Sequence, residues 1–242
     1  MSVLLVIPAR GGSKGIHRKN LTMVAGHPLI AYAIKNGLST TEVDRVIVST
    51  EDEEISSVAR AYGAEIPFMR PPELAADDIS LIPVIAHAAR SLRDPDFSAD
   101  IVISLQPTTP FITGSIIDQA IRLQRKTGCD SVTSVVKVTH NHPYRVQSII
   151  DHTRLAPYYP EGERFLQRQD LPAFYAFSGG LYLRKRHLLD TWSGQDFCLG
   201  EDRRCVIVNE REALNIDTPL DLAVFKTIME MSADKQAQPP SS

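Results

Sequence analysis

Cysteine is scarce in this chain, which carries only Cys129, Cys198 and Cys205. An odd number without metal-site spacing argues against a disulfide framework and for a reducing compartment, here the cytoplasm. Charge of one sign is lacking as well. The formal net charge is −3, so no global basic field draws the protein to nucleic acid or lipid headgroups, and neither is an expected partner. Any anionic ligand must instead be held by a local cluster of cations. Long apolar runs are missing: MSVLLVIPARGG opens with a strand-like apolar run and then a polar turn. A signal peptide needs a basic start and a longer apolar stretch, and no segment approaches a membrane span. Internal repeats are absent too. What remains is the balance of a soluble globular domain, with 43% hydrophobic and 23% charged residues among 242.

Short β-rich runs alternate with helical patterns through most of the chain. Val3 to Ile7 is continuously apolar, as in a parallel strand buried on both faces. A helical pattern follows from Pro28 to Leu38, then strand RVIVS and a helix from Glu51 to Tyr62 with an acidic first turn suited to the helix dipole. A shorter strand is expected before Arg70, then a helix from Ile79 to Leu92, strand Asp100 to Gln106, a helix from Gly114 to Lys126 and strand Asp130 to Val138. Between Thr139 and Pro172 the rhythm breaks into a stretch rich in His, Pro, Tyr and Arg. It is too long and aromatic for an idle connector and reads as an excursion over a site or a partner subunit. Strands GGLYLRK and RRCVIV and a helix from Pro219 to Met231 complete the pattern. The alternation predicts one α/β domain over residues 1–232, with a mostly parallel sheet flanked by helices, and a flexible tail over 233–242.

IPARGGSKGIHRKN, Ile7 to Asn20, directly follows the first strand, where an open α/β sheet has its ligand crevice. Gly11, Gly12 and Gly15 let successive amides point into one concavity, and Arg10, Lys14, Arg18 and Lys19 put four cations within ten residues. Such a nest suits a polyphosphate, although a glycine-rich solvent loop has the same composition. Neither GxxxxGK[ST] nor GxGxxG is present.

That string closely resembles the opening motif of the CMP-sialic acid synthetase family, the acylneuraminate cytidylyltransferases, which includes the legionaminic and pseudaminic acid enzymes. VIVSTEDEEI, RPPELAADDIS, LQPTTPF, RQDLPAFYAFSGGLYLRK and NIDTPLDL resemble further family segments and occur in the family's order across nearly the whole chain. The resemblance implies a Rossmann-like fold of the nucleotide-diphospho-sugar transferase type, with residues 139–172 as an inserted dimerisation or lid segment. It implies an enzyme that uses CTP and Mg²⁺ to activate a nonulosonic acid, acting as a homodimer. A transferase for Kdo or a sugar phosphate, or a non-catalytic nucleotide-binding module, are the competing readings.

By this resemblance Arg10 and Lys19 contact the triphosphate, where the transition state spreads negative charge over phosphoryl oxygens. Gly11, Gly12 and Ser13 complete the phosphate turn. Asn20 reads a pyrimidine or holds the loop, and Arg70 and Ser80 lie near cytosine and ribose. Asp77 is equally well read as the cap of the helix that follows it. Gln106, at a strand end, is a sugar or phosphate contact, with a turn closed by the Thr108 and Thr109 hydroxyls as the alternative reading of this stretch. Asn215 and Asp217, two apart on an expected strand, face one Mg²⁺. The family commonly has aspartate at both positions, so Asn215 is a departure, and Asp217 is the firmer ligand. Asp221 is a capping residue. Arg168, with Lys137 as second candidate, meets the sugar carboxylate. Tyr175 and Tyr182 approach the sugar pocket or pack in the core. His140, His142 and His152 are surface or interface residues.

Overall fold

The computed structural model describes residues 1–92, 94–194 and 196–237. In chain order the elements are β1 (Val3–Pro8), the short hairpin β2 (Met23–Val24) and β3 (His27–Pro28), α1 (Leu29–Leu38), β4 (Arg45–Ser49), α2 (Glu53–Ala61), α3 (Leu81–Ser91), β5 (Ile101–Leu105) and α4 (Gly114–Thr127). Then come β6 (Ser131–Lys137), β7 (Gln147–Ile150), β8 (Arg154–Pro157), β9 (Tyr175–Lys185), α5 (Arg186–Asp190), β10 (Arg203–Val208) and α6 (Pro219–Ala237). The six long strands form one sheet in the order β10-β6-β9-β5-β1-β4.

The apolar run of β1 explains its central place. Val3, Leu5 and Ile7 pack into the core beneath α1, α2 and α4, while Leu4 and Val6 pack into a second core beneath α3. A strand buried on both faces can carry no polar alternation, which is the pattern read from its sequence. β1 pairs in parallel with β4 on one side and β5 on the other. The chain therefore reverses direction across the sheet at β1, and the carboxyl ends of β1 and β5 form a topological switch point.

β9 runs antiparallel to both β5 and β6. It is also longer than GGLYLRK implied, because Tyr175 to Phe177 pair with Val135 to Lys137 across a register shift. Gly179, at φ 78°, sits in the irregular stretch, and a Cβ on Gly180 would meet Thr109 Oγ1 at 2.7 Å. The double glycine thus lets the strand pass hard against the turn after β5.

Four local expectations are corrected. The strand expected before Arg70 is a single bridge between Ile47 and Glu65. Asn215 and Asp217 lie on irregular chain, not a strand, beyond the end of β10. α6 continues past Met231 to Ala237, and the rest of the expected tail, 238–242, lies outside the described residues. His142 is buried, with its ring between Pro172 O and the Tyr144 amide. The excursion carries its own two-stranded sheet, β7 with β8, and adds no strand to the main one.

Candidate active site

A cleft of about 450 Å³ opens at the β1/β5 switch point, lined there by Pro8, which ends β1, and Gln106, which follows β5. The fold brings Arg10, Ser13, Lys19, Asn20, Arg70, Ser80, Gln106 and Asp217 to its walls from four separate stretches of chain. Gly11 and Gly12 do not line it; Ser13, Lys14 and Gly15 do. Gly15 is there for a steric reason: a Cβ would come within 2.2 Å of Asp217 O. The glycine turn can therefore press against the 215–217 segment, and Lys19 bridges the two. Its Nζ donates to Ile216 O at 2.8 Å and pairs with Asp217 Oδ1 at 2.9 Å.

Asn20 is buried, lines the cleft and donates from Nδ2 to Arg10 O at 3.0 Å, a contact that holds the loop. Arg10 reaches across the cleft mouth. It pairs with Asp77 at 2.9 Å and donates to Ala75 O and Ala76 O, while Lys14 pairs with the other Asp77 oxygen at 3.3 Å. Asp77 does not cap α3, since Ser80 occupies the N-cap position and lines the cleft. Arg18 turns away to Asp52 and Glu54. Burial alone would raise the Asp52 carboxyl, but hydrogen bonds from the Ile55 amide and Arg18 hold it below its ordinary range.

At the strand end, Thr109 Oγ1 donates to Gln106 O at 3.0 Å and closes the turn, while Ile216 N donates to Thr108 O at 2.8 Å. The Gln106 Nε2 and Asn215 Oδ1 atoms are buried without a protein partner among the described residues. Buried polar atoms are normally paired, and these two are exceptions next to the cleft residues Thr108 and Asp217. Asn215 Nδ2 donates to Asp217 Oδ2 at 2.6 Å. Asp221 accepts from the amides of Asp217 and Thr218, and those bonds hold its carboxyl below the ordinary range, as befits a cap at the start of α6.

The donor set suits Mg²⁺, which binds oxygen and keeps several waters. Asp217 offers an exposed carboxylate at the cleft wall, whereas Asn215 is not among the cleft-lining residues, turns Nδ2 to that carboxylate and buries Oδ1, so Asp217 is the ligand the geometry supports. No group of three or more His, Cys, Asp or Glu side chains that could hold a metal occurs among the described residues, so phosphate and water would complete the shell.

Lys137 and Arg168 lie elsewhere. They line a larger cavity of about 950 Å³ on the excursion, with no residue in common with the cleft. The Arg168 guanidinium is held by Thr139 O. Tyr175 is exposed at the start of β9. Tyr182 lies on the sheet, edge-on to Phe177 with the Arg184 guanidinium 5.0 Å from its ring centre, and burial pushes its phenol up. Neither tyrosine lines the cleft.

Sequence reasoning missed Glu51. Oε1 accepts from the Gly11 amide at 2.7 Å, and Oε2 accepts from Arg70 Nε at 3.1 Å and Nη2 at 2.5 Å. In sequence it is one more acid at a helix start, and no spacing rule foretells that it folds back onto the glycine turn.

The profile of the family described as Cytidylyltransferase matches residues 4–196. The CMP-N,N'-diacetyllegionaminic acid synthase of Legionella pneumophila is 31% identical over 242 residues, covering 97% of this chain and 99% of its own. A pseudaminic acid cytidylyltransferase of Campylobacter jejuni is 30% identical over 232 residues, covering 96% and 98%. Among solved structures, CMP:2-keto-3-deoxy-manno-octonic acid synthetase complexed with CTP shares the fold with a TM-score of 0.74 at 20% identity, covering 96% of this chain and 100% of that one.

Proposed function

The chain belongs to the cytidylyltransferase family, and from that premise we propose that it transfers CMP from CTP to the anomeric hydroxyl of a sialic-acid-like nonulosonic acid, releasing pyrophosphate. The observation that carries the reading is the gathering of Arg10, Ser13, Lys19, Arg70, Ser80, Gln106 and Asp217 around one cleft at the sheet's switch point. Relatives matched over nearly the whole chain are named for legionaminic and pseudaminic acid, which favours a nonulosonic acid over a sugar phosphate.

The anomeric oxygen forms a bond to the α-phosphorus while the bond to pyrophosphate breaks in line. No nucleophilic side chain is required, because positioning and charge neutralisation lower most of the barrier. Arg10 and Lys19 hold phosphate oxygens at the rim of the glycine turn, with Gly11, Gly12 and Ser13 shaping it. Arg10 must exchange Asp77 for phosphate. An exposed pair of this kind is worth only about 0–1 kcal/mol, whereas hydrogen bonds to a charged group contribute about 1.5–3 kcal/mol each, so the triphosphate wins. Arg70 and Ser80 meet the nucleoside, and Gln106 uses its unpaired Nε2 on the acceptor. Mg²⁺ held by Asp217, with Asn215 beside it, supplies further neutralisation of phosphate charge when bound.

Arg168 and Lys137 serve the sugar carboxylate from a second subunit in this reading. Their separation from the cleft supports that, as do the exposed apolar side chains Ile149, Leu155 and Leu166 on the same excursion. Two buried cysteines and one exposed, all free, suit a cytoplasmic setting. The test is pyrophosphate release with CTP, Mg²⁺ and a panel of nonulosonic acids, Kdo and sugar phosphates. Release with a nonulosonic acid is expected. Release with Kdo or a sugar phosphate alone replaces the acceptor class, and CTP binding without release to any acceptor makes the chain a binding module.

A further inference from the structure

Arg70 is 5% exposed, and a guanidinium so far from water must be paired and held in one orientation. Its backbone amide is tied to Thr50 O at 2.8 Å, and its side chain to the next residue of the same turn, Glu51. One edge of the guanidinium, Nε and Nη2, is spent on Glu51 Oε2. Among the described residues nothing accepts from Nη1, and Arg70 lines the cleft. The other Glu51 oxygen takes the Gly11 amide at 2.7 Å, so one carboxylate joins the glycine turn to the arginine across the β4–α2 connection.

We propose that Glu51 is a positioning residue for nucleotide binding: it clamps Arg70 to the glycine turn and so presents the free Nη1 edge of Arg70 to CTP. The inference rests on the CTP reading above. A carboxylate serves both arms because each oxygen accepts. A glutamine has one acceptor oxygen and an NH₂ group, so it can satisfy one arm only and turns donors against donors on the other. In a chain without the Arg70 guanidinium, that single oxygen is free for Gly11, and the conflict disappears.

The experiment is a double-mutant cycle. CTP binding in the presence of Mg²⁺ is measured by calorimetry for the wild type, E51Q, R70A and E51Q/R70A, with melting temperatures recorded in parallel. E51Q is expected to weaken CTP at least about tenfold, the loss typical of a charge-assisted pair. In the R70A background the same change should alter affinity by no more than about twofold, since the arms no longer compete. The KM for the acid acceptor should move little in E51Q. Equal CTP affinity in E51Q and wild type overturns the inference, as does an equal loss in both backgrounds, which would mark a merely structural role. If E51Q alone does not fold, a large loss from R70A to E51Q/R70A overturns it by itself. A wild type that binds no CTP defeats the functional reading and the inference with it, whereas a CTP-binding wild type indifferent to E51Q defeats only the inference.

Discussion

Asp77 holds Arg10 and Lys14 at once across the mouth of the cleft, so in this structure a carboxylate stands where phosphate is proposed to bind. It is an internal competitor, and Asp77→Asn should tighten CTP. The pair is exposed and worth about 0–1 kcal/mol, which limits the gain to about fivefold at most. Titration calorimetry of CTP against cytidine separates the effect, because cytidine has no phosphate to benefit and its binding should not change. Asp217 makes the opposite case. It is paired to Lys19 and accepts from Asn215 Nδ2, two contacts that fix its carboxylate at the cleft wall, while Gly15 packs against its backbone carbonyl. Asp217→Ala should lower turnover by about a hundredfold or more, the scale of removing a preorganised charge from a phosphoryl-transfer site. Pyrophosphate release in saturating CTP is the measurement, and substantial Mg²⁺-dependent activity in the variant would take Asp217 out of the mechanism.

Elements carry a different lesson. Asp130, just before β6, accepts from Lys185 at the end of β9 and from the amides of Glu201 and Asp202 ahead of β10. The Lys185 bond first, then the amide bonds, hold its carboxyl below the ordinary range. The folded chain therefore binds this proton less readily than the unfolded chain does. Its contribution to stability is present in full above the unfolded carboxyl range and is lost as pH falls through the lower folded value. Asp130→Asn should flatten the acid limb of the stability profile, read from denaturant midpoints at stepped pH. None of this joint was visible in the strand patterns, which gave the existence of β6, β9 and β10 but not their partners. β1 and β4 were legible as short continuous apolar runs, and α1 and α4 from apolar residues recurring at helical spacing. The antiparallel insertion of β9 was not, since a strand's direction is set by the path of the chain around it, not by its own residues. The strand expected before Arg70 failed for a related reason: only Glu65 finds a neighbour in β4, and the chain then leaves to deliver Arg70 to the cleft.

At the scale of the whole molecule, the cleft and the Arg168 cavity are separate surfaces of one chain. If a site is completed across a two-fold interface, Asp217→Ala and Arg168→Ala are each inactive alone but complementary together. Mixed and exchanged subunits should then recover about a quarter of wild-type activity, because half the dimers are mixed and one of their two sites is intact. No recovery, with mixed dimers demonstrated by mass, would put Arg168 outside the site or in the same chain's cleft. Sequence alone determined the α/β class, the family resemblance and most of the cleft's residue types, because glycines, cations and strand-end polar groups follow local rules of backbone freedom and charge. It read Arg10, Lys19, Arg70, Ser80, Gln106 and Asp217 from motifs far apart in the chain. Tertiary structure alone decided that Glu51 pairs with Arg70, that Asp77 opposes Arg10 instead of capping a helix, and that Lys137 and Arg168 stand away from the cleft. Those facts depend on which side chains meet across tens of residues, and such meetings are set by the packing of the sheet and its helices, to which no local pattern has access.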